Sequence, residues 1–428
     1  MQEQLNGLYN HGVDQPLVSI VILAYNKLEY TQLCISSILK FTSHINFELI
    51  AVNNGSSDGT KEYFDSLANV RVVHLQTNVG PSNGFNEGMK LARGKYTACV
   101  CNDFIFTPRW LDNLLCCIES NESIGFVSPG ASNVSNYQSI IGSYTNIEEM
   151  LAFADQYNHS DPQKWEERVR LLPCVLLVRT SILKELGGYD ARFYYGEFAD
   201  DDISFRIRRS GYKIIYCRDT FTFHFGSVTT HEDHIQNNSL AVSRKIFIDK
   251  YGLDAWADAM FNDQLVRALV NLSSGSQARI LGINTKCGGN PLQLKNYLRE
   301  NGSDGIKITN YCLDQKYRMD LETVSDYVLD GQLSNLHKQL TGQEYNYIIL
   351  EHDDNVFEQY PELLDQLSQL LDAQGQIALS LRTTRVDEEL VNMTVGLLLN
   401  QGFQVNYLQF IKNALDGLDL MIVAKRGA

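Results

Sequence analysis

The sequence lacks a basic excess: 36 lysines and arginines face 51 aspartates and glutamates, a formal net charge of −15. That balance excludes general nucleic-acid binding, which needs a basic surface to meet phosphates. It does not exclude a small anionic ligand, provided a cation or helix N-termini neutralise it locally. No apolar run approaches the ~18 residues of a membrane span. The opening MQEQLNGLYNHGVDQP lacks the basic-then-apolar profile of a signal peptide. The nine cysteines have no zinc-type spacing; Cys116 and Cys117 are adjacent, and Cys99 and Cys101 alternate within a strand-like run. Small buried thiols suit that pattern better than a disulfide framework, so a reducing, cytoplasmic setting is expected, with no transmembrane segment. Short-period repeats are also lacking.

At 428 residues the chain exceeds what one core usually organises, and its 44% apolar and 20% charged content is ordinary for a globular protein. Two domains are expected. Residues 1–16 read as a loose leader closed by Pro16. Residues 17–24 (LVSIVILA) are a nearly continuous apolar, β-branched run, as in a strand covered on both faces of a parallel sheet. A helix over 30–40, strands over 48–52 and 70–75, and a helix over 61–67 complete the alternation of a doubly wound α/β unit. Ligands of such sheets sit beyond the carboxyl ends of the strands, where the turns at 25–27 and 53–58 fall.

Residues 78–88 (NVGPSNGFNEG) carry three glycines and three asparagines before turning helical around 89–92. They suit a loop with a capped helix or a cradle of backbone N–H groups for an anion, and composition does not choose. A fourth strand, 96–100, runs into Cys101-Asn102-Asp103; a carboxylate there is poorly explained by packing and suits a metal or phosphate role, against the blander turn or cap before a helix over 111–119. Beyond Ser128-Pro129-Gly130 a polar stretch with one helix near 147–157 extends to about 170. A strand over 171–179 and a helix over 180–186 follow, ended by Gly187-Gly188. The segment 193–209 (FYYGEFADDDISFRIRR) then places Asp200, Asp201 and Asp202 side by side at the head of an amphipathic run. One acid caps or complements a helix N-terminus; three repel one another, which argues a chemical task for at least one. After a strand over 212–217, His224 stands among alternating aromatics, where a lone histidine is more often structural than a ligand.

These residues resemble a known family. Residues 17–230 resemble a family 2 glycosyltransferase of the GT-A fold, a doubly wound, Rossmann-like mixed sheet. The carriers, in order, are VSIVILAYNK, VNNGSSDGT, NVGPSNGFNEG, CND, GGYDARFYYGEFADDDISFRIRRSGYKI and HFGS. Asn53 stands where the family's V-D-x-G-S-x-D-G-T has aspartate, Cys101-Asn102 depart from its D-x-D, and Ala199 replaces a usual glutamate. The resemblance implies an inverting transfer of a hexose from a nucleotide sugar, UDP-linked first and dTDP-linked second, to a glycan, glycolipid or glycosylated protein. Polysaccharide biosynthesis and protein glycosylation are both implied settings. Ala24, Tyr25, Asn26, Asn53, Asn83 and Asn102 would hold the donor, and Asp58 its turn's backbone. Asp103, with His224, would bind Mn²⁺ or Mg²⁺ bridging the diphosphate. The general base falls on Asp200, with Asp201 one residue of register away and Asp202 left to the helix start. Tyr195, Gly196 and Glu197 would line the acceptor side.

Residues 241–275 read as a helical connection and 276–428 as a second α/β domain. ILGINTKCG and YNYIILEHDDNVFEQYPELLDQLSQLLDAQGQIALSL resemble a class I methyltransferase, Rossmann-like in fold. Gly282 occupies its acid position, Asn284 and Lys286 displace two glycines, and Asn310 replaces an acidic ribose ligand. Lost glycines block close backbone approach to a cofactor. A domain that binds no S-adenosylmethionine and serves assembly, including homo-oligomerisation, or acceptor docking is implied. Two alternatives stand beside the enzyme: a non-catalytic nucleotide-sugar or carbohydrate-binding protein, and a bifunctional glycosyl- and methyltransferase.

Overall fold

The computed structural model describes residues 15–226, 238–270, 277–353, 360–383, 388–412 and 417–427. Nearly all of the expected leader, and Ser227 of HFGS, lie outside the described residues. The chain divides into two compact units. The first comprises Met1–Glu166 and Arg170–Gly252, the second Glu167–Val169 and Leu253–Ala428.

In the first unit β1 (Val18–Ala24), β2 (Phe47–Asn54), β3 (Val70–Leu75) and β4 (Tyr96–Cys101) form a parallel core in the order 3-2-1-4. Every residue of β1 and β2 is buried, as a run without polar alternation requires when both faces are covered. Short β5 (Phe104–Ile105), β6 (Ile124–Ala131), β7 (Trp165–Glu167), β8 (Leu176–Arg179) and long β9 (Lys213–His224) extend the sheet. β8 runs antiparallel to β4 and β6, whereas β6 and β9 are parallel. The helices that place the site are α1 (Leu28–Thr42), α2 (Thr60–Ser66), α3 (Gly80–Met89), α4 (Trp110–Ser120), α5 (Ile147–Tyr157), α6 (Thr180–Leu186), α7 (Ala199–Arg209) and α8 (Ser239–Tyr251).

Several expectations change. Strand β6 includes Ser128-Pro129-Gly130, where no strand was expected; the ladder tolerates the proline through a register shift between Pro129 and Gly130. The strand expected over 212–217 continues to His224. Helix α3 begins at Gly80, so most of the asparagine–glycine segment is helix rather than loop. In place of one helical connection over 241–275 there are α8, inside the first unit, and short helices Ala255–Asp258 and Asp263–Ala268 in the second.

Among its described residues the second unit has seven strands: β10 (Arg279–Ile283), β11 (Lys307–Cys312), β12 (Tyr327–Asp330), β13 (Tyr345–Asp353), β14 (Leu371–Thr383), β15 (Phe403–Lys412) and β16 (Leu418–Arg426). Their order is β12-β11-β10-β13-β14-β16-β15; only β16 runs against its neighbours. The sequence did not foretell β12 or β15, whose mixed polar character hides their edge positions. Among the described residues no helix is long and apolar enough to cross a membrane.

Candidate active site

The parallel register sets Ala24 opposite Asn53 and Leu23 opposite Cys101, so three strand ends meet at one rim of the first sheet. Just past β1, Asn26 and Lys27 adopt left-handed backbone (φ 54° and 62°). The Asn26 Oδ1 accepts from Ser57 N–H at 2.9 Å, and its own N–H donates to Ser56 Oγ at 2.8 Å, binding the first turn to the second. Asp58 completes the tie: one oxygen accepts from the free Leu28 N–H at the start of α1 (2.8 Å), the other from Thr60. Asn53 is buried; its Oδ1 accepts from Ser56 N–H at 2.9 Å and its amide nitrogen lies 3.4 Å from His74 Nδ1. One lone pair and one N–H of that amide stay uncommitted. Tyr25 is half-buried and, among the described residues, makes no hydrogen bond. Asn102 is buried and donates to the Asn26 carbonyl and to Thr31 Oγ1, so it fixes the first turn from below.

Asp103 lies one residue beyond, where β5 pairs with the end of β9 and sets Phe104 against His224. The imidazole stacks on Phe104 (centroids 4.4 Å apart), its Nε2 lies 3.3 Å from Asp103 Oδ2, and its Nδ1 lies 3.2 Å from the Asn133 carbonyl. A carbonyl only accepts, so Nδ1 carries the hydrogen; in the neutral ring Nε2 then presents a lone pair to the carboxylate. Only a proton or a cation between them satisfies both. The other carboxylate oxygen, Oδ1, is buried without a partner. A divalent cation fits these two donors if a ligand's phosphates and water complete its shell; among the described residues no group of three or more His, Cys, Asp or Glu gathers to hold one alone.

The acidic helix resolves its three aspartates into three situations. Asp202 is fully buried and closed: Arg206 donates to one oxygen (2.7 Å), Lys250 and Tyr251 from α8 to the other. It lies inside the first turn rather than capping it, because the N-cap position belongs to Phe198, in left-handed backbone without a side-chain cap. Asp201 is buried and pairs with Arg170, whose Nη1 also donates to Asn136 at 3.0 Å. No hydrogen bond or ion pair among the described residues reaches Asp200. Burial first, then the Asp201 charge, push the Asp200 carboxyl up to about 8, with Arg170 opposing. Asp200 sits near the end of β4: burial, then the charges of Asp103 and Asp200, push the Cys101 thiol up. The charges of the strand end and of the acidic helix thus reach the same thiol.

Helix α3 holds them in that relation. Beta carbons on Gly84 and Gly88 would fall 2.5 Å from Leu23 and 2.3 Å from Val21, so these glycines let the helix lie directly on β1. The Asn86 amide pairs with both the N–H and carbonyl of Tyr189 (2.8 Å each), and Ser82 donates to the Phe193 carbonyl. At the first turn a Gly80 beta carbon would strike the Tyr194 carbonyl. The segment's glycines and asparagines thus bracket the loop before the acidic helix; Asn83 donates to Val79 within α3. In that loop Gly196 has φ 95°, half-buried Tyr195 packs edge-on to Tyr194, and Glu197 accepts from Ser239 and, at 3.4 Å, from Ser243. The sequence assigned no role to Asn86, although it lies in the NVGPSNGFNEG segment, and carried no signal for Arg170 or Lys250.

In the second unit the rim beyond β10 is occupied by the chain itself. The Asn310 side chain is fully buried, its amide oxygen accepting from Thr285 (2.7 Å) and its nitrogen donating to Ser325 (2.8 Å). A beta carbon at Gly282 would meet that oxygen at 2.0 Å. Lys286 donates to the Ala257 carbonyl, and Asn290 to Glu351.

Residues 19–166 match the model described as glycosyl transferase family 2. That stretch of the first unit is similar to family 2 glycosyltransferases. An uncharacterized glycosyltransferase of Haemophilus influenzae is 33% identical over 113 residues, 26% of this chain and 35% of the relative. Glycosyltransferase GlyG of Streptococcus pneumoniae is 25% identical over 211 residues, 47% of this chain and 68% of that protein. Poly-beta-1,6-N-acetyl-D-glucosamine synthase of Staphylococcus epidermidis is 27% identical over 203 residues, covering 46% and 47%. The chain thus spans from about a third to about two thirds of the length of these curated relatives.

Proposed function

We propose that the first unit transfers a hexose from a nucleotide sugar to a glycan, glycolipid or glycosylated protein, with inversion, and that a UDP-sugar is its donor ahead of a dTDP-sugar. The observation that carries this reading is Asp200: alone of three adjacent carboxylates it is unpaired among the described residues, and it lies near the end of β4. In the proposed step the acceptor hydroxyl attacks the anomeric carbon, its proton passes to Asp200, and the bond to the diphosphate breaks with its electron pair leaving on the nucleotide. A carboxyl pushed up toward neutrality is a stronger base than an ordinary aspartate. Asp103 and His224 would hold Mn²⁺ or Mg²⁺, which when bound offsets the charge of the departing diphosphate. Ala24, Tyr25, Asn26, Asn83 and Asn102 would shape the donor side, and the uncommitted half of the Asn53 amide suits a pyrimidine edge. Tyr195 and Gly196 would face the acceptor, with Glu197 shaping that loop through its bonds to α8.

We infer that the second unit is a methyltransferase-like domain without S-adenosylmethionine. Its strand order supports the resemblance, and the inward-facing Asn310 supports loss of the cofactor. The nine free thiols suit a reducing compartment. Nucleoside diphosphate release by the purified chain with Mn²⁺ and a panel of UDP- and dTDP-sugars tests the main reading. Release or transfer with one donor, abolished by EDTA, is expected; binding without turnover of any donor would make the protein a nucleotide-sugar-binding module instead. Calorimetric binding of S-adenosylmethionine would overturn the reading of the second unit.

A further inference from the structure

Arg170 stands outside every motif, yet its side chain is more than nine-tenths buried. Its guanidinium joins two elements: Nε pairs with Asp201 on α7, and Nη1 donates to Asn136 Oδ1 in the loop after β6. That loop is itself clamped. Asn136 donates to Gln138, Gln138 exchanges hydrogen bonds with both backbone groups of Leu172, and the Leu171 N–H donates to Ser204 on α7. At its other end the same loop holds His224 through Ser132 and Asn133. Burying a guanidinium costs several kcal/mol before any pairing, and buried ion pairs are weak devices for stability alone. A tie between loop and helix needs no charge; a neighbour of the unpaired Asp200 has a use for one.

We propose that Arg170 is a positioning residue for the transfer: it holds Asp201 in a closed ion pair, so that Asp200 alone of the three carboxyls exchanges a proton with the acceptor. This rests on the reading of Asp200 as the base. Without the guanidinium, Asp200 and Asp201 would be adjacent carboxylates that share one proton, and the proton from the acceptor would have no single destination. The groups that face Asp200 are Asp201 from α7, Arg170, the thiols of Cys101 and Cys174, and the Tyr189 phenol. Of these, Asp201 and Arg170 form the ion pair.

The test is the pH profile of kcat/KM for Arg170→Met, Asp201→Asn and the double variant, with affinity for UDP and Mn²⁺ measured beside it. Arg170→Met should move the acid limb up by about one pH unit or more, Asp201→Asn should move it down, and the double variant should return it near wild type. Donor affinity should stay unchanged. An unmoved limb in Arg170→Met, whatever the loss of rate or stability, makes the residue merely structural and overturns the proposal. Should that variant fail to fold, the double variant removes both charges of the pair, and a limb that moves down as far as in Asp201→Asn overturns it equally. Asp200→Asn separates the two readings: if it transfers at the wild-type rate, the base assignment falls and takes the proposal with it. If it is inactive while the other limbs stay still, only the proposal falls.

Discussion

The Asp103 carboxylate and the His224 imidazole face each other across 3.3 Å, and the Asn133 carbonyl determines which nitrogen of the ring points at the acid. Because that carbonyl takes the Nδ1 hydrogen, Nε2 and Oδ2 are two acceptors aimed at one point. In the neutral ring a proton or a cation between them satisfies both.

Asp103→Ala should therefore weaken Mn²⁺-dependent UDP binding by about tenfold or more, one charge-assisted ligand's worth. His224→Phe keeps the stacking on Phe104 and should weaken it less. Calorimetry with Mn²⁺ and with EDTA checks both; equal affinities for wild type and variants with Mn²⁺ present would contradict the assignment.

Asp200→Asn should lower transfer by about 10²–10⁴-fold, the usual range for a general base. Its effect on stability has a defined sign. The folded carboxyl holds its proton up to about pH 8, whereas the unfolded one releases it near the ordinary aspartate value of 3.8. Asp200 thus costs the fold progressively more from that value up to about pH 8 and no more beyond. Melting temperatures of Asp200→Asn should exceed wild type at pH 8 and converge with it near pH 4.

Lys250 joins Asp202 to Asp190, both within the first unit. Lys250→Met leaves the fully buried Asp202 with only Arg206 and Tyr251, and should cost about 3 kcal/mol in urea denaturation, the lower end for a broken buried pair. Lys245→Met, on the same helix but in an exposed pair with Asp249, should change stability by less than about 0.5 kcal/mol.

Two helical glycines should respond with opposite signs. Gly88→Ala drives a beta carbon to 2.3 Å from Val21 and 2.8 Å from Val52, an overpacking expected to cost about 1–3 kcal/mol. Gly396, in the helix Glu388–Asn400, has nothing among the described residues within 4 Å of its added carbon, so Gly396→Ala should stabilise by about 0.5–1 kcal/mol. Thermal melts of the two variants provide the check.

Much of the parallel core was legible because strands covered on both faces need unbroken apolar runs: β1, β2 and β3 lie where the sequence places strands, and α5 matches the expected 147–157. Strand β6 was not legible, since Pro129 and Gly130 are turn residues unless a bulge accommodates them. Nor was the start of α3, where Gly80, Gly84 and Gly88 serve contact with β1 and the Tyr194 loop rather than flexibility. In the second unit, Asn310 stands where the sequence raised a missing ribose ligand. Only the structure shows its amide turned inward.

The sequence by itself determined the alternation of strands and helices, the family that the first unit's motifs resemble and the short list of acids worth testing, because these depend on local periodicity and spacing. It could not rank Asp200, Asp201 and Asp202, which are adjacent and chemically identical. Their difference comes from Arg170, 31 residues before Asp201, and Lys250, 48 residues after Asp202. A carboxylate's charge state follows from burial and from the partners that packing brings to it, and those are properties of the folded chain.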